Sequence, residues 1–244
     1  MRHPELAQRL PDIPRWIEVR DLLLAGLGEI SGLRQLGNAD ELSFVLRDTE
    51  SSTLFIVGEV VATEFDGVVA TTLRDRADVV APIALTARLT AALPTWSASR
   101  LIVHTLTDPT VLERLPLGET GWATLDELRS SALPDELMAE LEVGGANSPI
   151  AVSRVAGQPV SFCYAGSQTE TLWDVSIDTL EAFRRQGHAA RSAALMVRHM
   201  TALGKRPVWQ ALENNPASWH LAARLGFTPC DELVMLEAPD DQEV

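Results

Sequence analysis

Cysteine, lysine and long apolar runs are scarce in this chain, and each shortage removes a class of protein. The two cysteines, Cys163 and Cys230, cannot build a disulfide framework and read as reduced residues of a cytoplasmic protein. Together with histidines 3, 104, 188, 199 and 220 they show no metal-ligand spacing, so no metal is expected. No apolar run reaches the ~18–20 residues of a membrane-spanning helix. No apolar stretch follows Met1-Arg2-His3-Pro4-Glu5, so neither a secretory signal nor a membrane partner is expected. Basic residues are outnumbered 34 to 20, for a net charge of −14. A polyanion is repelled by that balance, which speaks against nucleic acid as a partner and suits a cationic substrate.

Hydrophobic residues make up 46% of the 244 positions, enough for a sizeable core. The length suits one or two domains at roughly 100–200 residues each. No repeat is visible in the residues themselves. Residues 1–98 carry no chemical motif and read as an N-terminal accessory domain of short helices and a few strands. Trp16–Leu27 has helical spacing, Thr53–Val61 is β-rich, Phe65–Thr72 is its possible hairpin partner, and Val79–Leu93 is a helix ended by Pro94. Pro and Ser cluster in 94–99, as in a connector.

The pattern sharpens in residues 99–244. Leu101–Leu106 reads as a strand. Leu125–Leu141 holds two helical pieces, the second opening at Pro134-Asp135-Glu136 and ended by Gly144-Gly145. Three β-like runs, Pro149–Val155, Pro159–Ala165 and Glu170–Thr179, form an antiparallel meander. A helix over 187–203 buries Ala189, Ala193, Met196, Met200 and Leu203 and stops at Gly204. Pro207–Leu212 is a strand parallel to the one before the helix, since a helix joins them. Asn215-Pro216 opens a helix capped by Gly226, Thr228–Glu237 is the last strand, and 240–243 an acidic tail. The fold class expected is α/β with a mixed sheet.

Charge is distributed unevenly. Between Ala182 and Leu212 there is no acid, yet Arg184, Arg185, Arg191, Arg198, Lys205 (the only lysine) and Arg206 lie there. Arg191, Arg198 and Lys205 recur every seven residues, as on one helix stripe. Arg184 and Arg185 instead precede the helix, in Arg184-Arg185-Gln186-Gly187-His188-Ala189. A helix start offers unpaired N–H groups and a positive dipole end, so it can hold an anion. Gly187 lets a diphosphate approach the backbone, and the arginines add charge. A tight strand-to-helix turn would use the same glycine.

That hexapeptide resembles the acetyl-coenzyme A signature of the GNAT superfamily of N-acetyltransferases, Arg/Gln-x-x-Gly-x-Gly/Ala. It follows a strand at the family's spacing and precedes Asn215-x-x-Ser218-x-x-Leu221-x-x-x-Leu225-Gly226-Phe227, which is similar to the family's C-terminal motif. The resemblance spans about 99–238 and points to the bacterial branch with an additional N-terminal region. It implies a GNAT-like C-terminal domain after a smaller α/β domain. It also implies transfer of an acetyl group from acetyl-CoA to a primary amine, on a small molecule or a peptide, by direct attack. On the matching positions, Ile177, Asp178 and Thr179 would meet the pantetheine arm along a splayed central strand. The amides of Arg185, Gln186, Gly187, His188, Ala189 and Ala190, with Arg184 beside them, would take the diphosphate, and Asn215 would lie near the thiol.

This chain departs from the family at Ala222, where many members carry a tyrosine that protonates the leaving thiolate. The only tyrosine is Tyr164, on another strand. Ser218, one turn earlier, is the expected replacement. The proton acceptor is expected among Asp174, Glu213, Glu170 and Asp178, with Asp174 first and Glu213 second. Neither cysteine sits as a nucleophile would. Trp173, Trp209 and Trp219 either wall a substrate pocket or pack the core. Asn215 is equally a helix cap. Two other classes remain: an acyl-CoA-binding module without turnover, and a nucleotide-binding domain using the same glycine turn. The oligomeric state is open, a homodimer included.

Overall fold

In the computed structural model, which describes residues 3–36, 41–51 and 53–239, the chain separates into two units. One gathers residues up to 103 with 211–216 and the stretch from 230 onward, and the other holds 104–210 with 217–229. The expected acidic tail at 240–243 lies outside the described residues.

The first unit starts with helices α1 (His3–Arg9) and α2 (Ile17–Ala25) and continues with strands β1 (Gly28–Leu36), β2 (Glu41–Asp48) and β3 (Leu54–Val57). Helix α3 (Ala62–Asp75) leads to β4 (Val79–Pro82), helix α4 (Thr86–Ala92) and β5 (Ser97–Leu106). The order β1-β2-β3-β4 ends beside β11 (Phe227–Glu237). Antiparallel pairs join β1 to β2, β2 to β3 and β4 to β11, while β3 and β4 run parallel.

Three local expectations fail here. Residues 65–72 are helical, not a hairpin strand. Phe65, Val68 and Thr72 are buried at helical spacing, and two parallel strands need a crossover between them. The Val79–Leu93 helix is instead β4, a 3₁₀ turn and α4, because Val79, Val80 and Ala81 are all buried, as in a strand covered on both faces. The supposed connector at 94–99 already begins β5 at Ser97.

In the second unit come α5 (Thr110–Arg114), β6 (Thr120–Ala123), α6 (Leu125–Arg129), α7 (Asp135–Asn147), β7 (Ile150–Val155), β8 (Gln158–Gln168) and β9 (Leu172–Thr179). Helix α8 (His188–Ala202), strand β10 (Arg206–Leu212) and helix α9 (Pro216–Arg224) follow. The strand order is β10-β9-β8-β7-β6. The meander β7-β8-β9 is antiparallel and β9-β10 parallel, as expected. The short elements α5 and β6 were not foreseen, having too few residues to show a period.

Helix α7 runs through Gly144-Gly145 instead of ending there. A Cβ on Gly144 would lie 2.1 Å from the Tyr164 ring, and one on Gly145 2.9 Å from Leu125 and Ile150. These glycines serve close packing. Leu203 is 62% exposed, not buried, because α8 ends at Ala202. Lys205 therefore falls off the helix, and its Nζ donates to Gln168 Oε1 at 3.0 Å.

Element order repeats. Both α1-α2-β1-β2-β3-α3-β4-α4-β5 and α6-α7-β7-β8-β9-α8-β10-α9-β11 run helix, helix, three strands, helix, strand, helix, strand. The repeat that residue types hide is present in the architecture.

Candidate active site

Strand β9 is the backbone of the site. Its pairing with β10 covers Leu172↔Arg206, Trp173↔Pro207 and Asp174↔Val208, then stops. On its other edge the β8 ladder continues to Thr179↔Ser161. Among the described residues, β9 from Val175 onward is therefore paired on one side only, so the two parallel strands part. At the parting, Trp209 O faces His104 Nδ1 at 3.1 Å and is bonded away from β9.

Alternation divides β9 into two faces. Thr179 looks toward α8, where its hydroxyl meets Ser161 Oγ at 2.8 Å and Ser161 reaches Ser192 at 3.2 Å. Asp174, Ser176 and Asp178 share the opposite face. Gly166, at the β8 bulge, makes room for them, since a Cβ there would sit 2.5 Å from Ser176 Oγ. Tyr164, across from Ser176, interacts electrostatically with Asp178 and Glu140. Burial and the Glu140 charge push the Asp178 carboxyl above the usual range, against the pull of Tyr164 and Arg184.

After β9, residues 180–187 turn the chain into α8. A 3₁₀ turn at Glu181–Phe183 is followed by two left-handed residues, Arg185 (φ 60°) and Gly187 (φ 82°). Arg184 Nε donates to Thr179 O at 3.2 Å and Gln186 Nε2 to Ala182 O at 3.1 Å. The first intrahelical bond runs from Arg191 N–H to Gly187 O, so the amides of His188, Ala189 and Ala190 precede it. No side chain caps them. A Cβ on Gly187 would meet nothing within 4 Å. The bend is thus open above its glycine, and amides left over at a helix start are of the kind that can take an anion.

The expected residues are placed unequally. Asp174, Ile177, Asp178, Thr179 and 184–190 all lie on one strand–loop–helix segment. The His188 side chain turns inward, its Nδ1 2.9 Å from Ser153 Oγ, and burial with the Arg191 charge lowers its pKa. Only its amide remains for a ligand. Arg198 is no free stripe residue: it donates to the carbonyls of Leu112, Glu113 and Leu115 and closes the C-terminus of α5. Glu213 and Asn215 belong to the first unit. Arg100 donates to Glu213 through both its backbone N–H and Nε, holding that carboxyl below its usual range. Asn215 N–H bonds Leu212 O at 2.9 Å, directly before α9.

On α9, Ser218 accepts the Trp209 indole N–H at 2.9 Å, and Ala222 is fully buried. Trp173 and Trp209 are core residues, 0% and 1% exposed, whereas the Trp219 ring lies tilted against that of His220. Cys163 is buried and Cys230 exposed. Burial drives the Cys163 thiol far above its usual range, away from a thiolate nucleophile. Sequence reading missed Tyr164 and Glu140 as neighbours of Asp178. The only available signal was the uniqueness of the tyrosine.

A three-stranded meander, a crossover helix with an open glycine at its start, and a parallel strand that diverges make up the local fold of the segment. Residues 151–236 match the family model described as GNAT acetyltransferase. A GCN5-related N-acetyltransferase-like protein from Streptococcus suis is 16% identical, with TM-score 0.64 over 97% of this chain and 98% of its own. A GCN5-related N-acetyltransferase from Kribbella flavida is 15% identical, with TM-score 0.62 over 94% and 95%. An acetyltransferase of the GNAT family from Colwellia psychrerythraea is 13% identical, with TM-score 0.56 over 97% and 96%. At these identities the likeness is one of fold. A search of curated proteins finds no significant match. No helix among the described residues is long and apolar enough to cross a membrane.

Proposed function

We propose that the protein is an acetyl-CoA-dependent N-acetyltransferase acting on a primary amine, carried by a small molecule or a peptide. The observation that carries this reading is the open bend at Gly187, beyond the end of a strand whose edge is free from Val175. The amides of 185–190 bind the diphosphate, with Arg184 and Arg185 adding charge. The free edge of Ile177, Asp178 and Thr179 aligns the pantetheine arm as an added strand would. An amide there steadies the thioester oxygen as negative charge develops.

The amine nitrogen forms the new C–N bond as the C–S bond breaks, and the amine's proton passes to a carboxylate. Asp178 suits this step best, because a raised pKa brings a base closer to working pH. Asp174, on the same face, is second. Glu213, held ionised by Arg100, is a poor acceptor. The leaving thiol has a pKa near ~8.5, so a general acid helps without being indispensable. Ser218 or a water beside it serves there.

A second reading has a specific observation behind it. Ala222 is buried and Ser218 already accepts from Trp209, so α9 presents no strong acid, as in a domain that binds acyl-CoA without turnover. Thiol release from acetyl-CoA, measured across a panel of amines, separates the two. Release with at least one amine supports the transferase; saturable binding without release for any amine supports the binding module.

A further inference from the structure

The repeated element order puts a second strand–loop–helix segment in the first unit, at β3 and α3. The likeness extends to the sheet. Strands β3 and β4 run parallel and pair only at Leu54↔Val79 and Phe55↔Val80, just as β9 and β10 pair briefly and part. A 14-residue helix follows β3, as α8 follows β9. The two loops differ in length, charge and openness. Residues 180–187 carry Arg184 and Arg185 and leave Gly187 open, whereas the connection at 58–61 is four residues long, Gly58-Glu59-Val60-Val61, and has no basic residue.

Gly58 is left-handed like Gly187 (φ +70°), but a Cβ on it would lie 2.5 Å from Leu42 O. The loop is therefore shut against β2. Ser43 Oγ donates to Glu59 O and pins it there, and Val60 is buried. At the start of α3, Glu64 turns its carboxylate back onto the helix end, where Oε2 accepts the Val61 N–H at 3.3 Å. The same carboxyl group stands against Gly32 of β1, whose Cβ would be 3.0–3.1 Å from it. A carboxylate at this point satisfies an orphan amide and offsets the dipole, as a bound phosphate would.

We infer that the first unit is a second copy of the acyltransferase-type element run whose anion cradle is filled by its own Glu64. Of the two bends, the one at Gly187 is therefore the one that takes a diphosphate-bearing ligand. This rests on the proposed coenzyme reading and goes beyond it, because it assigns the β3–α3 bend no coenzyme of its own.

Amide hydrogen exchange on the full chain, with and without saturating coenzyme A, tests it. Slowing is expected in peptides covering 184–191 and absent from peptides covering 58–65. Coenzyme-dependent slowing at 58–65 overturns the inference. A Gly187→Val chain is expected to lose the slowing everywhere; slowing kept at 58–65 in that variant also overturns it. Slowing at neither segment in the parent protein would sink the coenzyme reading at Gly187, while leaving the closed first cradle supported.

Discussion

Gly187 combines two constraints that rarely meet in one residue. Its φ of 82° disfavours any side chain, and the space above it is empty. Valine there costs about 1–2 kcal/mol in backbone strain and places methyl groups where a ligand would approach. We expect Gly187→Val to stay folded, with a modest drop in Tm, and to lose at least about tenfold in coenzyme A affinity by calorimetry. Unchanged affinity would remove this bend from the site. Arg198 provides the contrast within the same basic window. Its bonds to three α5 carbonyls make it structural, so Arg198→Ala should cost on the order of 2 kcal/mol with coenzyme affinity unchanged.

Asp178 supplies the residue-scale pH prediction. With its carboxyl raised by burial and Glu140, the basic form accumulates only as pH passes above the usual carboxylate range, so the rate should rise through that window. Asp178→Asn should abolish this limb and slow turnover by roughly 10²–10⁴-fold, with coenzyme affinity retained. A variant that keeps both limb and rate would move the proton acceptor to Asp174.

At the scale of elements, periodicity reveals what is long and half-buried. Helix α8 and the β7-β8-β9 meander follow directly from their spacing, and the glycine-led turn between β9 and α8 is legible because no other residue type suits its backbone. Elements lost to the reading fail for physical reasons. In β4 both faces are buried, so its Val-Val-Ala run carries no alternation and merges with the helix behind it. In α3 β-branched residues occupy helical positions, and tertiary packing overrides their preference. Gly144-Gly145 looks like a helix stop, yet the need to admit Tyr164 and Ile150 keeps the helix going. For the candidate site, the strand–turn–helix course of the backbone over 177–190 was readable from the motif. Asp178's partners come from β8 and α7, distant in sequence, and no local pattern announces them.

At the scale of the whole molecule, two element runs share an order but differ in how they treat an anion, and the acidic balance of the chain shapes its pH response. Glu18 of α2 is raised to about 7 by burial, with Asp21 and Asp48 adding to the effect. The folded state thus holds a proton there that the unfolded chain has released. Stability must then fall as pH rises from about 4.5 to about 7 and level off above. Glu18→Gln should leave Tm nearly unchanged at pH 4 and raise it at pH 8, as read by calorimetric scans. An equal effect at both pH values would contradict the assignment.

The most direct test of the central claim is a crystal structure of the full chain with acetyl-CoA. The account predicts diphosphate oxygens within hydrogen-bond distance of the amides of 185–190 and the pantetheine arm lying along Ile177–Thr179. Density for the coenzyme at any other position, with the Gly187 bend vacant, would contradict it.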